Sequence, residues 1–214
     1  AGVRAALFLA STLAAGSATS RAQRILVADP NGTDGVRSYT MDGTLINSSL
    51  LPGTSFEGLA LSGSTLFAAN TGTPAVGRYT LNAAGAVISS NPTFAFGTAP
   101  GVTSPYGLAV SATNLFIGNF NSGNVLKYNI GGGQVGSLSV GNTNPYGLAV
   151  SGDILWVSQA TTGSGLNTIK GFSIGTSSGN FGSFTPTITI TSASGLNLPH
   201  GLAVSGNTLF VANG

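Results

Sequence analysis

The chain has no cysteine, a single histidine, a single tryptophan, a single methionine, and charge on only 6% of its 214 residues. Each shortage removes a class of chemistry. Without Cys there are no disulfides, thiolate nucleophiles or cysteine metal sites. One His cannot build a multi-histidine metal centre, and no Gly-x-Ser-x-Gly elbow or Lys-bearing phosphate loop occurs. So little charge also starves helices, whose wet faces are normally built from Glu, Lys and Arg. Glycine is abundant instead, at 33 residues, with Ser, Thr and Asn crowding the spaces between short apolar runs. Strands joined by tight turns need nothing more, so the composition predicts an all-β chain.

Residues 1–22 read differently. Arg4, an Ala/Leu/Phe run, and small residues closing at Ser20 and Ala22 have the pattern of a secretory signal, too short to anchor in a bilayer. Its removal would leave residues 23–214 as the mature domain, outside the cytoplasm: secreted, periplasmic or on the cell surface. Taking Arg4 and Arg21 from the seven basic residues leaves five, against five acidic ones. A balanced domain without a basic patch predicts no nucleic-acid partner. No other run is long enough to span a membrane. Residue 1 is not Met and the last repeat stops after two apolar runs, so a longer parent chain, incomplete here at its C-terminus, is expected.

Four segments are near copies: FEGLALSGSTLFAAN (56–70), PYGLAVSATNLFIGN (105–119), PYGLAVSGDILWVSQ (145–159) and PHGLAVSGNTLFVAN (199–213). Their Gly-Leu-Ala motifs start at Gly58, Gly107, Gly147 and Gly201, spaced by 49, 40 and 54 residues. Each copy predicts a hairpin of two buried strands around a short polar turn, Ser-Gly in three copies and Ser111-Ala112-Thr113 in the other. A third strand follows at Val36–Tyr39, Val76–Tyr79, Val125–Tyr128 and Ile169–Phe172, carrying Arg37, Arg78, Lys127 and Lys170 at positions expected to face solvent. A fourth run, such as Val135–Val140, completes the unit, with the Gly-rich Asn129–Val135 as a turn and residues 177–195 as a long loop plus outer strand. Four antiparallel strands every forty to fifty residues predict a β-propeller of four-stranded blades, about four to five of them visible. The first copy begins at Ile25 with what would be its second strand, so blade one is expected to lack an inner strand. Leu59, Leu108, Leu148 and Leu202 are expected near the axis, and Trp156 in the core.

The motif Pro-Tyr-Gly-Leu-Ala-Val, a turn, a polar strand end, and then Ile169-Lys170-Gly171-Phe172 resembles the NHL repeat over residues 24–214. That resemblance implies a propeller used as a binding scaffold. It departs at the strand-end Asp, kept only as Asp29. Two columns are predicted on one face of the disc: Glu57, Tyr106, Tyr146 and His200 before the Gly, and Asp29, Asn70, Asn119, Gln159 and Asn213 at the end of the second strand. The first column changes from Glu to Tyr to His inside copied segments, which marks a candidate ligand-binding rim. The second most often caps local backbone.

FEGLALS also resembles the opening of gluconolactonase-like propellers, where a Glu before Gly ligates a divalent metal. Under that reading Glu57 would hold calcium or zinc at the channel mouth for a lactonase-like hydrolysis. The family's Asn ligand is replaced by Tyr106 and Tyr146. Two functions stay open: a non-catalytic scaffold without a cofactor, whose partner is a protein, glycan or small molecule, and the metal hydrolase.

Overall fold

A computed structural model describes residues 6–10, 23–30, 32–96, 101–141, 144–160, 167–175 and 179–214. Blade I comprises β1 (Ala6–Ala10), β2 (Arg24–Ala28), β3 (Val36–Tyr39) and β4 (Leu45–Leu51). Blade II comprises β5 (Phe56–Ser62), β6 (Thr65–Asn70), β7 (Ala75–Leu81) and β8 (Val87–Phe96). Blade III holds β9 (Pro105–Val110), β10 (Asn114–Asn119), β11 (Asn124–Asn129) and β12 (Gln134–Ser139). Blade IV holds β13 (Asn144–Ser151), β14 (Ile154–Ala160), β15 (Thr168–Ser173) and β16 (Ile188–Thr191). A two-stranded sheet, β17 (Pro199–Ser205) and β18 (Thr208–Asn213), follows. Every sheet is antiparallel with its strands in chain order, and the inner strands β5, β9, β13 and β17 stand side by side. This is the all-β propeller of four-stranded blades that the repeat predicts. Among the described residues no helix is long and apolar enough to cross a membrane.

Three apolar layers lie between the blades, and they explain why the strands are apolar without alternation. Side chains alternate faces along a strand, and in a propeller both faces meet a neighbour. Leu66, Leu115 and Leu155 pack toward the preceding blade, whereas Phe67 and Phe116, one residue later, pack toward the following one. Ser-Gly turns close the first hairpins with Gly63, Gly152 and Gly206 at positive φ, which only glycine adopts without strain.

Four expectations change. Blade I has an inner strand: the backbone of Ala6–Ala10 pairs antiparallel with Arg24–Ala28, an apolar run of strand length occupying the otherwise free edge of β2. Most of the expected leader, residues 1–5 and 11–22, lies outside the described residues. Leu59, Leu108 and Leu148 are buried, but Leu202 is only half-buried, because β17 is covered from blade IV and not from a fifth complete blade. Trp156 is half-buried where its counterparts Phe67 and Phe116 are sealed by Phe94 and Phe181. It lines a cavity of about 320 Å³ with Ser151, Ile154, Val204 and Leu209 at the turn end of the blades.

The third-strand cations are the fourth correction. Lys127 is 0% exposed, and its Nζ donates to the carbonyls of Ile174 (2.7 Å), Gly179 (2.8 Å) and Asn180 (3.4 Å) in blade IV. Arg78 likewise donates to Ile130 O in blade III at 3.2 Å and lies 4.6 Å over the Phe94 ring. Lys170, one strand position earlier in the repeat, faces the other way and donates to Val140 O at 3.1 Å. Arg37 pairs with Asp34 and lies 3.9 Å from Asp29. Arg78, Lys127 and Lys170 thus reach past their own blade and join sheets, whereas Arg37 stays within blade I and keeps about a third of its side chain exposed.

Candidate functional site

The Gly-Leu-Ala motif is a β-bulge. In β9 and β10, Pro105 opposes Asn119 and Leu108 opposes Ile117, so Tyr106 and Gly107 together face the single residue Gly118. The same two-against-one step puts Glu57-Gly58 opposite Ala69, Tyr146-Gly147 opposite Ser158, and His200-Gly201 opposite Ala212. A bulge turns its side chain out of the regular ladder. The four inner strands β5, β9, β13 and β17 thus each turn out one residue at an equivalent point: Glu57, Tyr106, Tyr146 or His200.

Glycine is required there because the next blade comes so close. A methyl group on Gly58, Gly107 or Gly147 would overlap the carbonyl oxygen of Tyr106, Tyr146 or His200 respectively. In blade IV, Ser158 Oγ accepts from Gly147 N (2.8 Å) and donates to His200 O (2.9 Å), tying one bulge to the next.

This close approach brings the first column together. The Tyr146 and His200 rings lie 4.4 Å apart, and those of Tyr106 and Tyr146 lie 5.8 Å apart edge to face. Phe120, which opens the 3-10 turn Phe120–Ser122, stacks on Tyr106 at 4.7 Å and meets Tyr146 edge-on at 4.7 Å. All four rings are half-buried, as is Glu57 one blade earlier. Phe120 lies one residue past the copied segment, outside both predicted columns. The signal was there, since the residue after each strand-end Asp, Asn or Gln also varies: Pro30, Thr71, Phe120, Ala160 and Gly214.

The second column does different work. Asn119 Oδ1 accepts from Thr103 N (3.0 Å), Ser104 N (2.9 Å) and Thr103 Oγ1 (3.2 Å), and its Nδ2 donates to Gly101 O (3.1 Å). Asn70 holds Thr73 N and Thr54 O, and Asn213 holds Asn197 N and Gly195 O. Gln159 Nε2 donates to Val140 O, and Asp29 Oδ1 accepts from Gly32 N. Each clasps nearby backbone, in most blades the linker that leads into the inner strand, which sets where the bulge begins. Asn119 is 1% exposed; its replacement by Ala should cost about 2–3 kcal/mol by leaving buried amides unpaired. The exposed Asn213 should lose under about 1 kcal/mol in the same change. Denaturant unfolding of the two variants checks this.

Among the described residues no group of three or more His, Cys, Asp or Glu is placed to hold a metal ion. Glu57 is the one carboxylate of the bulge column, and its successors on the rim are aromatic.

Neither a family model nor a curated protein matches the chain. Solved structures do match in fold. Virginiamycin B lyase from Staphylococcus aureus is 20% identical with a TM-score of 0.59, over 89% of this chain and 59% of its own. A protein of unknown function from Bacteroides caccae is 14% identical with a TM-score of 0.63, over 89% and 66%. The computationally designed Ika8 protein is 17% identical with a TM-score of 0.55, over 88% and 52%. The chain therefore spans about half to two thirds of the length of these structures. At such identities the likeness concerns the propeller fold.

Proposed function

We propose that the chain is an exported, NHL-like propeller that works as a non-catalytic binding scaffold, with the bulge rim as its ligand surface. The observation that carries this reading is the contrast between the two columns. One is spent on backbone in blade after blade, while the other varies within copied segments and gathers Tyr106, Tyr146 and His200 beside Phe120. A repeated frame with one variable side chain per unit suits recognition, since the frame is preserved whatever the variable residue becomes. Export rests on the leader pattern of residues 1–22, whose removal would take β1 from blade I and leave the edge of β2 open.

The lactonase-like alternative needs Glu57 to hold calcium or zinc. The rim positions that the resemblance would fill with an Asn ligand carry Tyr106 and Tyr146, whose neutral phenols replace the amide oxygen, and His200 leans on Tyr146. A metal bound by the folded state would raise the melting temperature. Addition of calcium or zinc should leave that temperature unchanged, in the parent chain and in Glu57→Gln alike. A metal-dependent rise that Glu57→Gln abolishes would overturn the scaffold reading in favour of the hydrolase.

A further inference from the structure

Blade IV breaks the repeat at two paired positions. In blades II and III an aromatic ring on the second strand stands beside a cation on the third, Phe67 beside Arg78 and Phe116 beside Lys127. A second ring, Phe94 or Phe181, lies against that pair, and the cation reaches carbonyls of the following blade. At the same register blade IV pairs Trp156 with Gly171. The clamp is gone. A Cβ on Gly171 would meet Ile154 Cγ2 at 3.2 Å and the Trp156 ring at 3.3 Å, so the glycine makes room for the larger indole. What stands between blade IV and the β17–β18 hairpin at this point is the cavity of about 320 Å³.

Its lining sets its chemistry. Trp156, Ile154, Val204 and Leu209 are half-buried and form the walls, whereas Asn207 and Thr208 are exposed at the mouth beside Ser151. Among the described residues, neither the indole N–H nor the side chains of Ser151, Asn207 and Thr208 have a hydrogen-bond partner in the protein. No lining residue is charged, so an ion would give up water without meeting a counter-charge. A sugar ring would press hydroxyls against aliphatic walls that cannot pair them. An apolar cavity of about 150 Å³ takes benzene, so a space roughly twice that suits two fused rings. We propose that this cavity, at the opposite end of the strands from the bulge rim, binds a neutral planar aromatic molecule with a polar substituent. The rings lie between Trp156 and the aliphatic side chains, and the substituent meets the unpaired groups at the mouth. The site is independent of the reading of the rim.

The lone tryptophan gives a single indole N–H resonance, so amide-proton spectra of the whole isotope-labelled chain report on the cavity directly. β-Naphthol should shift that resonance and the amides of residues 204–209 saturably, at a concentration several-fold lower than phenol needs. β-Naphthoate and glucose should leave them in place. Val204→Phe, which fills the cavity and keeps the indole, should abolish the response. Trp156→Phe, which restores the ring of the other blades, should weaken the amide response about fivefold or more. A melting curve for each variant separates loss of binding from loss of fold. No saturable shift with β-naphthol, an equal response to β-naphthoate or glucose, or an undiminished response in Val204→Phe overturns the proposal. Shifts centred on His200 and Tyr146 would place the ligand on the rim, rejecting this site and leaving the rim reading intact.

Discussion

Gly107→Ala should unfold the chain far more readily than Gly201→Ala, although both change the same residue of the same motif. At Gly107 the new methyl group would overlap the Tyr146 carbonyl, a backbone atom of the next inner strand that cannot turn aside. At Gly201 the nearest atom is Ala212 Cβ at 3.4 Å, an ordinary contact, since among the described residues no inner strand packs beyond β17. Relieving the overlap means separating blades III and IV along an interface that also buries Phe116, Leu148 and Leu155. The expected cost at Gly107 is roughly 3 kcal/mol or more, about 6–12 °C in melting temperature for a chain of this size. Gly201→Ala should fall within about 0.5 kcal/mol of the parent. Paired thermal melts decide it; equal losses would mean that the bulge glycine serves only its own hairpin.

Lys127→Met should be the costliest loss of a charge in the molecule, at about 2–3 kcal/mol, because it removes charge-assisted bonds and strands buried carbonyls of blade IV. Lys170→Met gives up one bond from a half-exposed ammonium and should cost under about 1 kcal/mol. Burial holds both ammonium groups below the ordinary lysine value of 10.5. Between the lowered value and 10.5 the unfolded chain binds more protons, so the contribution of these groups to stability rises with pH in that window. Lys127→Met should flatten its share of the rise. Chemical denaturation across the alkaline range measures both effects, and equal costs for the two lysines would refute the inter-blade role of Lys127.

The sequence made the repeat legible because each blade buries both faces of its strands, which forces the same apolar pattern on every copy. It also marked Tyr106, Tyr146 and His200, since variation inside a copied frame needs no structure to be seen. Lys127 could not be read this way: a cation one residue along the strand from Leu126 looks solvated until the neighbouring blade puts three carbonyls around it. The role of the glycine was hidden for the same reason, as the atom it avoids lies 39 residues away for Gly107. Phe120 escaped because it sits just past the copied segment. Local pattern reports on the blade; contacts between blades depend on reach and register that no single repeat contains.

The lone histidine offers the most direct check, because its imidazole resonances admit no ambiguity. The bulges place the His200 and Tyr146 rings 4.4 Å apart across 54 residues of chain, and Phe120 within 4.7 Å of both tyrosines. A nuclear Overhauser spectrum of the aromatic region should show cross-peaks from His200 to Tyr146 and from Phe120 to Tyr106 and Tyr146. An imidazole with no cross-peak to any tyrosine ring would show that the variable residues do not converge on one rim.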